Sequence, residues 1–407
     1  MLRKFAVGVC VVGGVLSTNL GFSQSDIIGR EFNPIRVAAP FLTITPDSRA
    51  AGYGDQGVAS GADNNSQYWN PAKYIFADPK MGVSFSYTPW LRNIINGISL
   101  SNLAGYYKID ENQSISASLR YFSLGEVEFT DNSNTLQKQF KPNEFAFDAA
   151  YTRRLNDILS SAIGFRYISS NLTGGYAQNA VETKKASSFA ADISLYLEKP
   201  VRMGYNDAEV AFGMSISNIG SKVSYSDNEN VKSFLPTTLR IGGRYSLIAN
   251  RMHKITGLVE TSKLLVPTPK YDEQGNNLNA NKGVVSSIFS SFGDAPGGMK
   301  EELNEFTFSL GAEYTFNNTF SLRVGTFNES KNKGNRKFFT VGGGLKYNLL
   351  VLDVAYLVPT SNSANNPLAN TFRITIGTEL GQDRYSKSSR GRSSSGRGRV
   401  RGGRWHR

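Results

Sequence analysis

The sequence predicts an all-β protein: a transmembrane antiparallel β-barrel of about 14 strands, with an N-terminal plug in the lumen. Three observations carry this. First, apolar residues alternate with small or polar ones over many segments. In EFTFSLGAEYTF (305–316), Phe306, Phe308, Leu310, Ala312, Tyr314 and Phe316 alternate with Thr307, Ser309, Gly311, Glu313 and Thr315. Successive strand side chains point to opposite faces, so one face is greasy and the other polar. Second, charged residues such as Asp148, Asp192 and Arg373 stand on the polar face at mid-strand. That is unusual for a sandwich core and suits a barrel with lipid outside and a polar lumen. Third, apart from the first, the odd-numbered gaps between the segments are the longer ones, while the even ones are tight turns save a moderate sixth. Outer-membrane barrels segregate loop lengths in this way, with short turns on the periplasmic side and long loops outside.

Residues 1–23 come first. Arg3 and Lys4 precede the apolar run 5–16, and small residues follow at Gly21 and Ser23. This is the layout of a secretory signal peptide, cut after Ser23. The single cysteine, Cys10, lies inside it behind Val9, which does not fit a lipidation site. The mature chain then holds no cysteine, so disulfides and thiolate metal sites are excluded. With only His253 and His406, a histidine-rich metal site is not expected, and no cofactor is implied.

Residues 24–80 do not alternate. They are rich in Gly, Asn and Asp, with Pro46 and Pro71, and read as a plug (hatch) folded into the lumen. Tyr68, Trp69 and Tyr74 call for burial there. Asp55, Asp63 and Arg49 read as ion pairs or turn caps tying the plug to the wall, rather than as a catalytic group.

The barrel covers 81–380. Candidate strands lie near 81–88, 96–109, 112–123, 143–154, 158–170, 186–198, 206–217, 234–247, 250–263, 305–316, 319–329, 336–347, 349–358 and 371–380. Most are long enough for tilted spanning strands, and an even number puts both barrel ends in the periplasm. Closure removes the sheet edges that lipid cannot satisfy. Trp90, Tyr106, Tyr107 and Tyr121 fall near strand ends, as interfacial aromatic girdles require. The polar gaps 125–142, 171–185 and 218–233 are candidate rim loops.

The longest gap, 264–304, is apolar within. Val284, Val285, Ile288, Phe289 and Phe292 recur at helical spacing. Two readings stand: a short amphipathic helix packed over the mouth, or an exposed surface that captures a partner. The Ser run 286–291 lacks the strand–turn–helix setting of a nucleophile elbow, and GDAPGGM (293–299) lacks the Lys of a phosphate loop. No enzyme activity is expected.

Residues 381–407 close the chain. From 383 onward, nine Lys or Arg stand against Asp383, a local share of +8 in a total of +12. This Gly/Ser/Arg-rich tail is expected to be disordered. It follows the last strand in place of the aromatic at which barrel chains usually end. In the periplasm two readings stand, contact with anionic lipid, peptidoglycan or an acidic partner, or a solvated tail without a specific partner; no nucleic acid is expected.

The plug motifs resemble a known family. Arg49, Ala50, Gly52 and Gly54, followed by Asn70, Pro71 and Ala72 and then an alternating barrel, resemble FadL-type outer-membrane transporters of hydrophobic compounds. The longer form SQYWNPAKY (66–74) is similar to PorV-type barrels, the FadL-like members of the type IX secretion system of Bacteroidetes. The resemblance covers about residues 30–380. It implies a plug built on Arg49, Gly52, Gly54, Asp63, Trp69, Asn70 and Pro71. It also implies an outer-membrane carrier that binds the C-terminal signal domains of exported cargo at a large SprA-type translocon and presents them to a sortase-like attachment complex. The alternative it leaves open is a FadL-like channel for hydrophobic small molecules.

Overall fold

The computed structural model describes residues 33–89, 97–130, 136–172, 174, 184–225, 232–249, 252–270, 278–279, 282–360 and 371–382. The expected signal peptide, Trp90 and the basic tail lie outside the described residues.

Sixteen strands are present among them. In chain order they are β1 (Pro79–Pro89), β2 (Ile98–Lys108), β3 (Gln113–Leu124), β4 (Val127–Thr130), β5 (Leu136–Phe140), β6 (Asn143–Arg154), β7 (Leu159–Asn171), β8 (Ala186–Met203), β9 (Asn206–Gly220), β10 (Thr238–Ala249), β11 (His253–Leu264), β12 (Thr307–Phe316), β13 (Phe320–Asn328), β14 (Lys337–Tyr347), β15 (Leu350–Pro359) and β16 (Thr371–Gln382). All but β4 and β5 form one closed antiparallel barrel, in which β1 pairs with both β2 and β16. β4 and β5 make a separate hairpin inside the stretch read from the sequence as a plain polar loop.

The alternation decides the faces. Phe308, Leu310, Tyr314 and Phe316 of β12 point outward, while Ser309 and Glu313 face the lumen. A barrel with this exterior has lipid as its natural solvent.

Loop lengths separate by end. Residues 109–112, 155–158, 204–205, 250–252, 317–319 and 348–349 connect strands at the turn end. Residues 90–97, 125–142, 172–185, 221–237, 265–306, 329–336 and 360–370 connect them at the loop end. The first connection, an exception on sequence grounds, follows the same rule. Asn317 and Asn318 both have positive φ, 51° and 52°, which is the two-residue turn that matches strand twist.

One aromatic assignment is corrected. Tyr106 is not a girdle residue: it faces the lumen, stacks on Tyr74 at 4.4 Å and donates its hydroxyl to the carbonyl of Pro79 at 3.2 Å. Tyr106 and Tyr107 are neighbours on one strand, so only one can face outward. Tyr107 and Tyr121 are the exposed ones. The expected strand at 234–247 also begins later, at Thr238, because the backbone before it bonds elsewhere: the carbonyl of Phe234 accepts from Ala38 of the plug, and the N–H of Thr237 turns back to Leu235.

The segment 33–78 threads the barrel from end to end. Asn33 donates its N–H to Asn332 at the loop end, and Pro79 opens β1 at the turn end. The lumen is thus a packed core made of plug and wall.

Candidate functional site

The plug is built from short turns whose polar groups are met by the wall. Asp47 caps helix α1 (Ser48–Gly52), accepting the N–H of Ala50 at 2.8 Å. Its other carboxylate oxygen accepts the indole N–H of Trp69 at 2.8 Å. Trp69 ends helix α2 (Ser66–Trp69), so this bond ties the two helices together. Arg49 reaches Asp63 at 3.1 Å and Glu313 of β12 at 3.4 Å. Asp63 also accepts from the N–H of Asn65 and the hydroxyl of Ser66, both at 3.0 Å.

Asn70 bridges plug and wall. Its amide donates to the carbonyls of Val58 at 3.0 Å and Leu195 at 2.9 Å, and its oxygen caps the 3-10 segment Pro71–Phe76 through Ala72. Pro71 stands at the first position of that segment, where its missing N–H costs nothing, and its carbonyl accepts from Thr152 at 3.0 Å.

Three glycine contacts set how closely the plug docks. Gly54 has φ +95°, and a Cβ there would lie 2.7 Å from the carbonyl of Thr326. A Cβ on Gly325 of the wall would lie 2.1 Å from the carbonyl carbon of Tyr53. Gly52 meets the wall likewise, with Gly342 and Arg323 against it.

Several anchors escaped the sequence reading. Glu260 of β11 accepts the N–H groups of both Gly57 and Val58. Lys73, fully buried, donates to the carbonyl of Gly57 at 2.8 Å and to Ser60 at 2.9 Å. Glu260 carried a signal, being a charge at a lumen position of an alternating strand. Asp47 and Lys73 lie in non-alternating chain, which carries no such pattern.

Burial governs the plug's titrations. Burial, then the charge of Asp63, pushes Asp47 up to about 6. Burial brings Lys73 down to about 8. Wall ion pairs complete the brace: Arg323 with Glu313 and Asp353, Arg166 with Asp148 and Asp192, and Arg244 with Glu198 and Glu209. On the turn side a cavity of about 720 Å³ is lined by such groups, Arg49, Asp63, Arg244, Glu313, Arg323 and Asp353 among them. On the loop side a cavity of about 270 Å³ lies among Ile35, Val37, Trp69, Arg240, Glu260 and Phe338.

The 265–306 connection forms the second part of the site. It holds helix α3 (Val284–Ser290) and helix α4 (Met299–Leu303). The apolar face of α3 is turned outward. Ser287 and Ser291 are fully buried, whereas Val285 and Phe289 are 66% and 76% exposed. Phe292 is exposed too, and Val284 and Ile288 are half-buried. Met299 and Leu303, which the sequence reading did not single out, add to the same exposed apolar character. Beneath them Lys263, fully buried, bridges Glu302 at 2.8 Å and Glu305 at 2.5 Å, and Lys333 joins Glu305 to Glu301. This buried network holds down the base of an apolar surface.

Residues 29–271, which run through the plug and the wall to just past β11, match the family model for the type IX secretion system protein PorV. The chain belongs to the PorV family. It is thus an outer-membrane β-barrel of type IX secretion, and its plug is the part of the PorV match that the barrel encloses. No curated protein matches it by sequence. Among solved structures, it is similar to the Ralstonia pickettii toluene transporter TbuX, with 12% identity, TM-score 0.48, 84% of this chain and 100% of that one covered. The Pseudomonas putida toluene transporter TodX is similar at 10% identity, TM-score 0.47, with 86% and 98% covered. A Pseudomonas aeruginosa FadL homologue is similar at 9%, TM-score 0.45, with 83% and 99% covered. What those transporters carry is a property of those proteins.

Proposed function

We propose that this PorV-family barrel is a cargo carrier rather than an enzyme or a pore. It binds the C-terminal signal domains of exported proteins at a large SprA-type translocon and delivers them to a sortase-like attachment complex on the cell surface. The loop end faces outward in this reading, and the turn end faces the periplasm.

The outward apolar face of α3 carries the reading. Val285, Phe289 and Phe292 stand away from the barrel while small serines face down, the reverse of a helix that merely covers a mouth. Exposed apolar clusters of this kind mark partner surfaces. The alternative, passage of hydrophobic small molecules through the lumen, needs an apolar route. The turn-side cavity is lined instead by arginines and carboxylates, and the plug is tied to the wall by buried polar contacts.

The test is a mild-detergent pull-down of the tagged protein from its own cells, with mass spectrometry of the co-purified chains. A very large barrel, or secreted proteins sharing one C-terminal domain, is the expected result. Recovery of the barrel alone, with fatty or aromatic compounds in its extract, overturns the proposal in favour of small-molecule transport.

A further inference from the structure

On the lumen face the wall is mostly polar, and two apolar clusters break it: Phe327, Phe338 and Leu357 on β13 to β15, and a larger one at the loop end of the opposite chain half. There Leu100 of β2, Phe122 of β3 and Ile168 of β7 join Val223 and Leu235 of the 221–237 connection in one buried apolar cluster. What fills this pocket is the chain's own segment. Phe41 and Leu42 are almost wholly buried in it, with the Phe41 ring stacked on Phe122 at 6.2 Å and an interplanar angle of 7°.

The filler is held differently from the rest of the plug. It is a single 3-10 turn, Pro40–Thr43, without a side-chain cap. The chain enters it through Ala39 at φ 48°, a left-handed conformation that is costly for a residue with a Cβ. Four bonds tie it to the rest of the chain: the N–H of Ala38 to the carbonyl of Phe234 at 2.8 Å, that of Ala39 to the Tyr225 hydroxyl at 3.4 Å, and the Leu42 carbonyl, which accepts from the Tyr68 hydroxyl at 3.2 Å and from Arg120 at 3.5 Å. From Asp47 onward, by contrast, the plug is fixed by the buried polar contacts described above. A strained segment whose own side chains are uncharged, held by mostly long hydrogen bonds and apolar packing, therefore joins one fixed by ion pairs and charged caps.

We propose that residues 38–44 are a self-inserted ligand, a strap occupying a pocket that accepts a peptide with adjacent aromatic and aliphatic side chains once the strap withdraws. A peptide is the favoured class because the pocket offers backbone-type acceptors, the Phe234 carbonyl and the Tyr225 hydroxyl, beside its apolar wall. A hydrocarbon has no N–H to give them.

The test uses purified full-length barrel in detergent and a fluorescent synthetic peptide copying residues 36–46, RVAAPFLTITP. Two forms are compared: a Phe41→Ala/Leu42→Ala variant, whose strap grips poorly, and an Ala38→Cys/Phe234→Cys variant oxidised to lock the strap. Heat-modifiable gel mobility confirms that each barrel is folded. The open variant is expected to bind the peptide saturably, at least tenfold more tightly than the locked one. A peptide with Ala replacing both Phe and Leu is expected not to compete. Should the double-alanine variant not fold, the reduced and oxidised states of the cysteine pair, which share one sequence, give the same comparison. Equal binding to open and locked barrels overturns the proposal, as does no binding to a folded open barrel. Saturable binding of hexadecanoate without the peptide overturns it in favour of a hydrocarbon site. Each readout is direct binding, so none depends on whether the protein carries secreted cargo.

Discussion

The carboxylate of Glu260 on the lumen wall accepts the backbone N–H of Gly57 in the plug at 2.7 Å, and the same oxygen accepts that of Val58 at 2.8 Å. One wall side chain thus satisfies two consecutive buried donors that no helix or sheet serves. Arg240 stands 3.8 Å from the other oxygen. Glu260→Ala removes all of this, leaves two N–H groups without partners, and leaves the Arg240 guanidinium only the Ser217 and Tyr68 hydroxyls and no carboxylate. Breaking a buried charge pair from one side costs about 3–5 kcal/mol. The expected outcome is a barrel that still assembles but whose plug is cut readily by protease, with raised conductance in planar bilayers. Unchanged protection and conductance would show that Glu260 does not hold the plug.

Steric contact between plug and wall gives a paired prediction. A methyl group on Gly325 would meet the carbonyl carbon of Tyr53 at 2.1 Å, whereas one on Gly257, on β11, would meet nothing within 4 Å. Gly325→Ala must shift the plug, at about 3 kcal/mol, the upper end of ordinary overpacking. Gly257→Ala should leave plug protection unchanged. Equal behaviour of the two variants in limited proteolysis would refute the close docking.

The barrel was legible because strand periodicity is two: Phe308, Leu310 and Tyr314 announce an outward face wherever the rest of the chain goes. The turn chemistry of Asn317 and Asn318 and the alternating gap lengths are likewise local. The plug was legible as a segment, through its non-alternating composition, its aromatics and its motif, but not in its contacts. Arg49 and Asn70 were singled out by type and spacing, but their partners Glu313 and Leu195 lie far along the chain, and no local rule pairs them. Tyr106 failed for the converse reason. Position near a strand end predicts an interfacial aromatic, but the parity of the strand, settled by which neighbour meets Tyr74, sends it inward. Phe41 and Leu42 carry no periodic signal at all, since a single turn is too short to have one.

Two buried groups give the plug a pH profile with a defined sign. Asp47 has its folded value raised to about 6 from 3.8 by burial. The docked plug therefore binds this proton more tightly than the free segment. The resulting stability is complete below about 4 and lost as pH rises through 6. Lys73 is lowered to about 8 from 10.5. Its contribution is present above 10.5 and lost as pH falls through 8. Each shift corresponds to about 3 kcal/mol. Plug protection from protease should therefore be lowest between pH 6 and 8 and rise on both sides. Lys73→Gln should abolish the alkaline rise alone; a profile unchanged by that substitution would separate the rise from Lys73.

Phe289 is 76% exposed, so Phe289→Glu should leave the barrel's stability within about 0.5 kcal/mol of the parent. Capture of partner chains in the pull-down should nevertheless fall at least tenfold, because a carboxylate placed in an apolar contact must be desolvated without a partner. Full capture by a folded Phe289→Glu barrel would move the partner surface away from α3.

The network under that surface makes the last prediction. Lys263 is wholly buried between Glu302 and Glu305, and Lys333 reaches Glu305 at 3.0 Å and Glu301 at 2.6 Å. Lys263→Met leaves the buried Glu302 without its cation, with only the Ala295 N–H still donating to it, while Lys333 still serves Glu305. The uncompensated carboxylate costs about 3–5 kcal/mol unless α4 lifts into water. Lifting is the cheaper outcome, since α4 is one short turn with Met299 and Leu303 already exposed. Protease should then cut between residues 284 and 303 far faster than in the parent, with the barrel's heat-modifiable mobility unchanged. Restoring a cation with Lys263→Arg should recover part of the protection, which loss of apolar packing alone would not allow. Equal cutting rates in the parent and Lys263→Met would mean that the helices are held by contacts other than this ion cluster.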